Sequence, residues 1–193
     1  MAYIQFQKLR DNIRAIRTMI NFEHIKCPLR RYTFSVGRIR QWVEKNCEGK
    51  VLNLFAGMTL LNFDEVRNNP NPAMPAGYRL DALTFLKTWN GEKFDTIPLD
   101  PPYAYRKSME LYKGPFHQLK YEIVHCLKPG GKVITFGYHS IVMGRNRNFR
   151  LEGLCLFSHG GTIHDTIATA ERNMTGAERT AIYAMDNNNW KLN

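Results

Sequence analysis

The chain has 193 residues, 44% hydrophobic and 23% charged, enough for one domain with a substantial core. Its 27 Lys and Arg outnumber 17 Asp and Glu, and the resulting formal net charge of +10 points to a polyanionic partner, nucleic acid first. No stretch approaches the roughly 18–20 apolar residues of a membrane span, and no secretory h-region opens the sequence, so the expectation is a cytoplasmic protein with no membrane partner.

In chain order, residues 1–34 form a basic, aromatic extension. Between Lys8 and Phe22, the positions Leu9, Ile13, Ile16, Met19 and Ile20 recur at helical spacing, with Arg10, Arg14 and Arg17 mostly on another face. Ile25 to Phe34, which carries Arg30 and Arg31, mixes cations with aromatics, a composition that grips phosphates and stacks bases. Ser35 is a candidate cap for a helix from Val36 to Asn46. Val51 to Phe55 reads as a parallel strand, and Ala56-Gly57 after it lets a ligand approach the backbone closely. A weaker strand spans Phe63 to Arg67 and ends in the loop Asn68-Asn69-Pro70-Asn71-Pro72. Asp81 opens a helix over residues 81–87, and Phe94 to Leu99 is an apolar strand that delivers Asp100. Ser108 to Leu127 reads as a helix, interrupted near Gly114-Pro115 and stopped by Lys128-Pro129-Gly130-Gly131. Strands follow at Lys132 to Gly137, Leu151 to Phe157 and Ile163 to Glu171, and the polar tail from Asn187 is expected to fray.

Strands that alternate with helices imply an α/β fold: a Rossmann-like, mostly parallel sheet flanked by helices. The last two strands, joined by Ser158-His159-Gly160-Gly161, imply an antiparallel C-terminal hairpin. No repeat or linker interrupts residues 1–193, which are expected to form a single domain with a basic extension over about residues 1–34. Cys27, Cys47, Cys126 and Cys155 are too scattered for a disulfide framework, and His24-x-x-Cys27 has no matching second pair, so free thiols and no metal are expected.

In sheets of this kind ligands bind beyond the C-terminal ends of the strands. That rule gathers Gly57, Asn68, Asn69, Asp81 and Asp100 on one side of the molecule. There Asp100-Pro101-Pro102-Tyr103 suits one chemistry, methylation of an exocyclic amine on a flat base. Such an amine is a poor nucleophile because its lone pair is delocalised into the ring. A carboxylate and a rigid backbone carbonyl can accept its two hydrogens and draw the lone pair out of the plane. The prolines fix the backbone and remove competing N–H donors, and the aromatic can stack on a base that has left its helix.

These residues resemble the S-adenosylmethionine-dependent amino-methyltransferases, in particular the adenine-N6 DNA methyltransferase group, over roughly residues 33–171. Asn53-Leu54-Phe55-Ala56-Gly57 is similar to the glycine motif that wraps the methionine part of the cofactor. Asp81, with Ala82 beside it, stands where the family holds the cofactor's adenine amine, and Asp100 to Tyr103 matches the catalytic signature. Thr33 to Trp42 resembles the segment that closes over the methionine carboxylate. The resemblance implies a class I methyltransferase fold, S-adenosyl-L-methionine as cofactor and no metal, with methyl transfer to adenine N6 of DNA. Alternatives are an RNA enzyme acting on guanine N2 or adenine N6 of tRNA or rRNA, and a nucleic-acid-binding subunit with a degenerate cofactor pocket. Arg30, Arg31, Tyr105, Arg106, Lys107 and His139 are the expected nucleic-acid contacts, in a monomer or small homo-oligomer that prefers DNA and can take RNA.

Three departures from the family pattern carry expectations of their own. Only Met58 to Asn62 separates Gly57 from the next apolar run, so either the first crossover helix is missing or the second strand lies elsewhere. Asn68 and Asn69 stand where an acidic residue usually meets the cofactor ribose. Pro98 sits inside a strand that should be central, which predicts a bulge or local weakness.

Overall fold

Buried residues at spacing i, i+3, i+4 explain the first two helices. Ile39, Trp42 and Val43 form the buried face of α1 (Gly37–Asn46), and Ala82, Phe85 and Leu86 that of α2 (Ala82–Thr88). Leu119, Ile123 and Cys126 do the same for α3 (Phe116–Cys126). The computed structural model describes residues 20–101, 116–140, 142–161 and 164–180. Asp81 caps α2, its Oδ1 accepting the Thr84 N–H at 3.0 Å. Ser35 does not cap α1. Its hydroxyl donates to the Tyr32 carbonyl at 2.6 Å within a 3-10 turn, Thr33–Ser35, and Val36 holds the cap position without a side-chain bond.

Among the described residues seven strands form one sheet: β1 (Asn21–Lys26), β2 (Lys50–Asn53), β3 (Asp64–Arg67), β4 (Phe94–Leu99), β5 (Leu127–Gly137), β6 (Phe149–Ser158) and β7 (Thr166–Asn173). Their order is β1-β6-β7-β5-β4-β2-β3. Only β7 runs against its neighbours, pairing antiparallel with β5 and with β6. The C-terminal ends of the other six strands therefore share one edge of the sheet. The β6–β7 hairpin is the antiparallel C-terminal element expected from the sequence. β1 is not anticipated there: Asn21 and Phe22, read as the end of a helix, pair with Gly153 and Leu154. Pairing with a segment so distant in sequence overrides a local helical spacing, and the rest of that spacing, before residue 20, lies outside the described residues.

Each face of the sheet carries its own core. On one, Trp42 of α1 meets Phe136 and Phe157 edge-on, with centroids 6.4 and 6.0 Å away. On the other, Phe85, Leu86, Leu119 and Ile123 pack over Leu52, Leu54, Ile97 and Leu99. Burying a side chain of this size stabilises the fold by about 1.5–3 kcal/mol.

Two of the three departures show their physical form here. Residues 54–63 join β2 to its parallel neighbour β3 without a helix, with Lys50 to Asn53 registered on Asp64 to Arg67. The second strand is where the sequence places it, and the first crossover helix is absent. Pro98 stays in ladder with Ile134 of β5, and the irregularity falls earlier, between Phe94 and Thr96. On the other side of the strand, β4 registers with β2 only at Val51↔Thr96, so the weakness that the proline predicts lies towards β2.

The opposite edge, at the N-terminal ends of the strands, is tied by charge. Asp95 Oδ2 accepts from Lys50 N at 2.8 Å and Lys128 Nζ at 2.9 Å. Glu48 pairs with Arg172 and Lys132 at 2.8 and 3.1 Å. Gly49 adopts a left-handed φ of 57° against Asp95, and a Cβ there would collide with that carboxylate.

Candidate functional site

The edge formed by the strands' C-terminal ends places the expected site residues side by side. β2 ends at Asn53, and Phe55, Ala56 and Gly57 follow. On one side of β2, β3 leads into Asn68 and Asn69; on the other, β4 leads into Asp100 and Pro101, both half-buried. One strand further, β5 ends beside exposed Tyr138 and His139. Pro102, Tyr103, Tyr105, Arg106 and Lys107 lie outside the described residues.

Hydrogen bonds of the two asparagines build the loop after β2. Asn68 N donates to Asn53 O and Ala56 N to Asn68 O, both at 3.0 Å, which extends the β2–β3 ladder past the last strand residue. The Asn68 side chain is fully buried. Its Nδ2 donates to Leu54 O at 3.3 Å and Leu80 O at 3.0 Å, and its Oδ1 accepts from Leu80 N at 3.1 Å. Asn69, half-buried, donates from Nδ2 to Ala56 O at 2.9 Å and accepts from Asn71 N at 2.8 Å. The Asn68 amide is thus committed to the scaffold, whereas Asn69 borders the surface. Asn53 is buried too, its Nδ2 donating to Glu65 Oε1 at 2.8 Å.

Arg67 takes over the work of the absent helix. Its guanidinium donates to Gly57 O at 2.5 Å, Thr59 O at 3.0 Å, Pro75 O at 2.7 Å and Glu65 Oε2 at 2.7 Å. Glu65 also accepts from Leu61 N at 3.1 Å. Glu65 and Arg67 stand two apart on β3, so they share a face, and together they hold two loops at the site, residues 54–63 and the segment around Pro75. Sequence reasoning missed this pair. The available signal was an opposite-charge i, i+2 pair at the end of the strand read as the weaker one.

Tyr32, just before the 3-10 turn, was also missed. A Cβ built on Gly57 would meet the Tyr32 ring at 3.6 Å, an ordinary contact, so the glycine stays open towards the segment that leads into α1. Arg31 lies over the Tyr32 ring, 5.4 Å from its centroid. Ala82 packs its methyl into the core and has only backbone to offer a ligand. Asp81 keeps its carboxylate at the α2 N-terminus, where the helix dipole favours negative charge.

His159 in the hairpin turn has a structural task. Its Nδ1 lies 3.1 Å from Cys27 O, an acceptor, so that nitrogen carries the proton. Its Nε2 then accepts from the Thr166 hydroxyl at 3.0 Å. The imidazole ties the end of β1 to the start of β7. Burial pushes all four cysteine thiols above their ordinary range, Cys47 and Cys155 to about 12, so none supplies a thiolate at neutral pH. Among the described residues no group of three or more His, Cys, Asp or Glu is placed to hold a metal ion, and no helix is long and apolar enough to cross a membrane.

A glycine loop after the strand next to β4, an acid capping the following helix, Asp100 at the end of β4 and an antiparallel β7 together define the class I methyltransferase fold. The solved structure of the proposed methyltransferase yhhF from Escherichia coli is similar, with a TM-score of 0.54 and 13% identity over 77% of this chain and 89% of that one. A proposed methylase from Haemophilus influenzae aligns at a TM-score of 0.48 and 16% identity, over 71% of this chain and 86% of that one. No protein-family model matches the chain, and no curated protein sequence is significantly similar to it.

Proposed function

We propose that the protein transfers a methyl group from S-adenosyl-L-methionine to an exocyclic base amine of nucleic acid, adenine N6 of DNA first. The observation that carries this is the position of Asp100. It follows directly on β4, between the strand bearing the glycine loop and the strand ending at Gly137, next to Tyr138.

The residues present fit the cofactor at two of its three parts. Gly57, open at its Cβ position, offers close approach to the methionine end on a loop that Phe55 and Ala56 shape, and Asp81 offers a carboxylate to the adenine amine. At the ribose the family's acid is absent, and Asn69 is the polar side chain nearest the surface there. A neutral amide in place of a carboxylate gives weaker hydrogen bonds to hydroxyls. When bound, the cofactor supplies a methyl group activated on a sulfonium.

The Asp100 carboxylate accepts one hydrogen of the target amine and the Pro101 carbonyl accepts the other. The Pro101 carbonyl sits on backbone that the proline ring stiffens, with the Asp100 carboxylate one residue before it at the strand end, so together they can aim the nitrogen lone pair, and alignment supplies much of the rate. Tyr103 stacks on the extruded base, a contact worth about 1–3 kcal/mol.

The test is transfer of labelled methyl to DNA and RNA pools, followed by nucleoside mass spectrometry. N6-methyladenine in DNA is the expected product, lost in Asp100→Ala while cofactor binding persists. Near-normal transfer by Asp100→Ala removes this carboxylate from the mechanism, and a product confined to RNA reassigns the polymer.

A further inference from the structure

Sequence reasoning left the basic strip around Arg30 without a geometry. The structure places it in a cleft of about 740 Å³ on the same edge as Asp100, at the far side of the sheet. The end of β1 supplies Lys26 and Cys27, the following loop Pro28 and Arg30, and α1 opens into the cleft with Gly37 and Arg38. His159 closes the floor, its position fixed by the bonds to Cys27 and Thr166. Among the described residues no carboxylate lines the cleft. Arg38 is held in place, its Nη1 donating to Lys26 O at 2.9 Å. Lys26 and Arg30 are exposed and form no ion pair with a described residue.

We infer that this cleft binds a backbone phosphodiester of the nucleic-acid substrate, on the strand flanking the target base. The inference rests on the proposed nucleic-acid methylation and deepens it. Lys26, Arg30 and Arg38, none of them ion-paired with a described residue, gather positive charge in the cleft, and the start of α1, uncapped by any side chain, faces the same space. Distance separates this site from the chemistry. β1 lies four strand intervals from β4, about 19 Å at the usual strand spacing. That is roughly five to six base steps along one strand of duplex. The cleft therefore holds the substrate about half a helical turn from the reacting base. The methionine carboxylate of the cofactor is the other anion available. Gly57 is bordered by Tyr32, and neither residue lines the cleft, whereas Ser35 to Arg38 and Gln41 of the segment likened to the carboxylate clasp do, so cofactor affinity is the readout that tells the two anions apart.

The test compares Lys26→Gln/Arg30→Gln with a charge-matched control, Lys87→Gln/Lys93→Gln, two exposed lysines near the opposite edge of the sheet. Affinity of the full chain for a mixed-sequence DNA duplex of about 30 base pairs, roughly three turns, is measured against salt, with an RNA hairpin in parallel. The cleft variant should lower the slope of log affinity against log salt by about 0.9 for each charge removed, and the control should leave it unchanged. Loss on DNA alone, or on RNA alone, identifies which polymer supplies the phosphate.

Equal loss in both variants reduces the effect to net charge and overturns the inference. So does an unaltered slope, absence of binding by the wild type, or a fall in cofactor affinity in the cleft variant. Methyl transfer assayed on the same proteins separates the two proposals. Intact transfer with an unaltered slope sinks the cleft alone, and a cleft-dependent slope without any transfer sinks the enzymatic reading alone.

Discussion

Replacing Arg67 by methionine tests the clamp that stands in for a helix. The Arg67 side chain is 7% exposed and that of Glu65 4%, so removing the cation leaves a carboxylate almost without water. Breaking a buried pair from one side costs about 3–5 kcal/mol. The lower end applies here, because Glu65 keeps donors from Asn53 Nδ2 and Leu61 N. The carbonyls of Gly57, Thr59 and Pro75 also lose a donor, but they belong to half-buried or exposed residues that water can reach. The expected loss is therefore about 3 kcal/mol. With a urea m-value near 2 kcal/mol/M, the unfolding midpoint should fall by about 1.5 M. Adding Glu65→Gln removes the stranded charge and should restore part of that loss. It should not restore affinity for S-adenosylmethionine, because the Gly57 and Thr59 anchors stay broken. A single variant whose midpoint falls by less than about 0.5 M, roughly 1 kcal/mol, would refute the clamp. So would full recovery of cofactor affinity in the double variant.

Asp81→Ala should cost about 1 kcal/mol as the cap of α2 is lost, whereas Asp81→Ser should keep the cap. Both should weaken cofactor binding by calorimetry, and unchanged affinity in the serine variant would make Asp81 a cap and nothing more. Acid should loosen the opposite edge of the sheet. Burial works to raise the Glu48 and Asp95 carboxyls, but Glu48 is outweighed by bonds from Arg172 and Lys132, and Asp95 by bonds from Lys50 N and Lys128, so both titrate below their ordinary range. A depressed carboxyl stabilises the fold fully above its unfolded value, near pH 4, and that stability is lost as pH falls through the folded value. Thermal midpoints measured from neutral pH down to about 3 should drop on the acid limb, and less steeply in Glu48→Gln, since that variant has no such charge to lose.

The strands that carry the site were legible because each is a short apolar run ending in glycine, asparagine or aspartate. Val51–Leu52, Phe94–Leu99 and Val133–Phe136 are buried nearly throughout, and burial is what hydrophobic runs report. Asp81 was legible as a helix start because cap chemistry is local. β1 was not legible: exposed and half-buried positions alternate from Phe22 to Lys26, but residue type does not follow, with Phe22 exposed and Glu23 half-buried, and its partner is the distant β6. Ser35 misled because a hydroxyl beside a helix start can bond backward, to Tyr32 O, as readily as forward. The Arg67 clamp was hidden because its partners are backbone carbonyls of loops, to which sequence assigns no position. His159 was invisible for the same reason, since one of its two bonds goes to a carbonyl more than a hundred positions away.

Pairing of β1 with β6 also sets a timetable for synthesis. His24 and Ser158, whose side chains meet at 2.7 Å, stand 134 positions apart. At about 5–20 residues per second, the first of them waits roughly 7–27 s on the ribosome before the second is made. Contacts of such high order form slowly, after the local ones have reduced the entropy of closing the loop. The walls of the basic cleft come from the two ends of this closure, Lys26 and Arg30 from the early part and His159 from the late. A nascent chain that has already made the glycine loop and Asp100 therefore still lacks a finished grip on a polyanion. If the cleft grips nucleic acid as proposed, that affinity should appear only when the last strands dock, and so report completion of the fold.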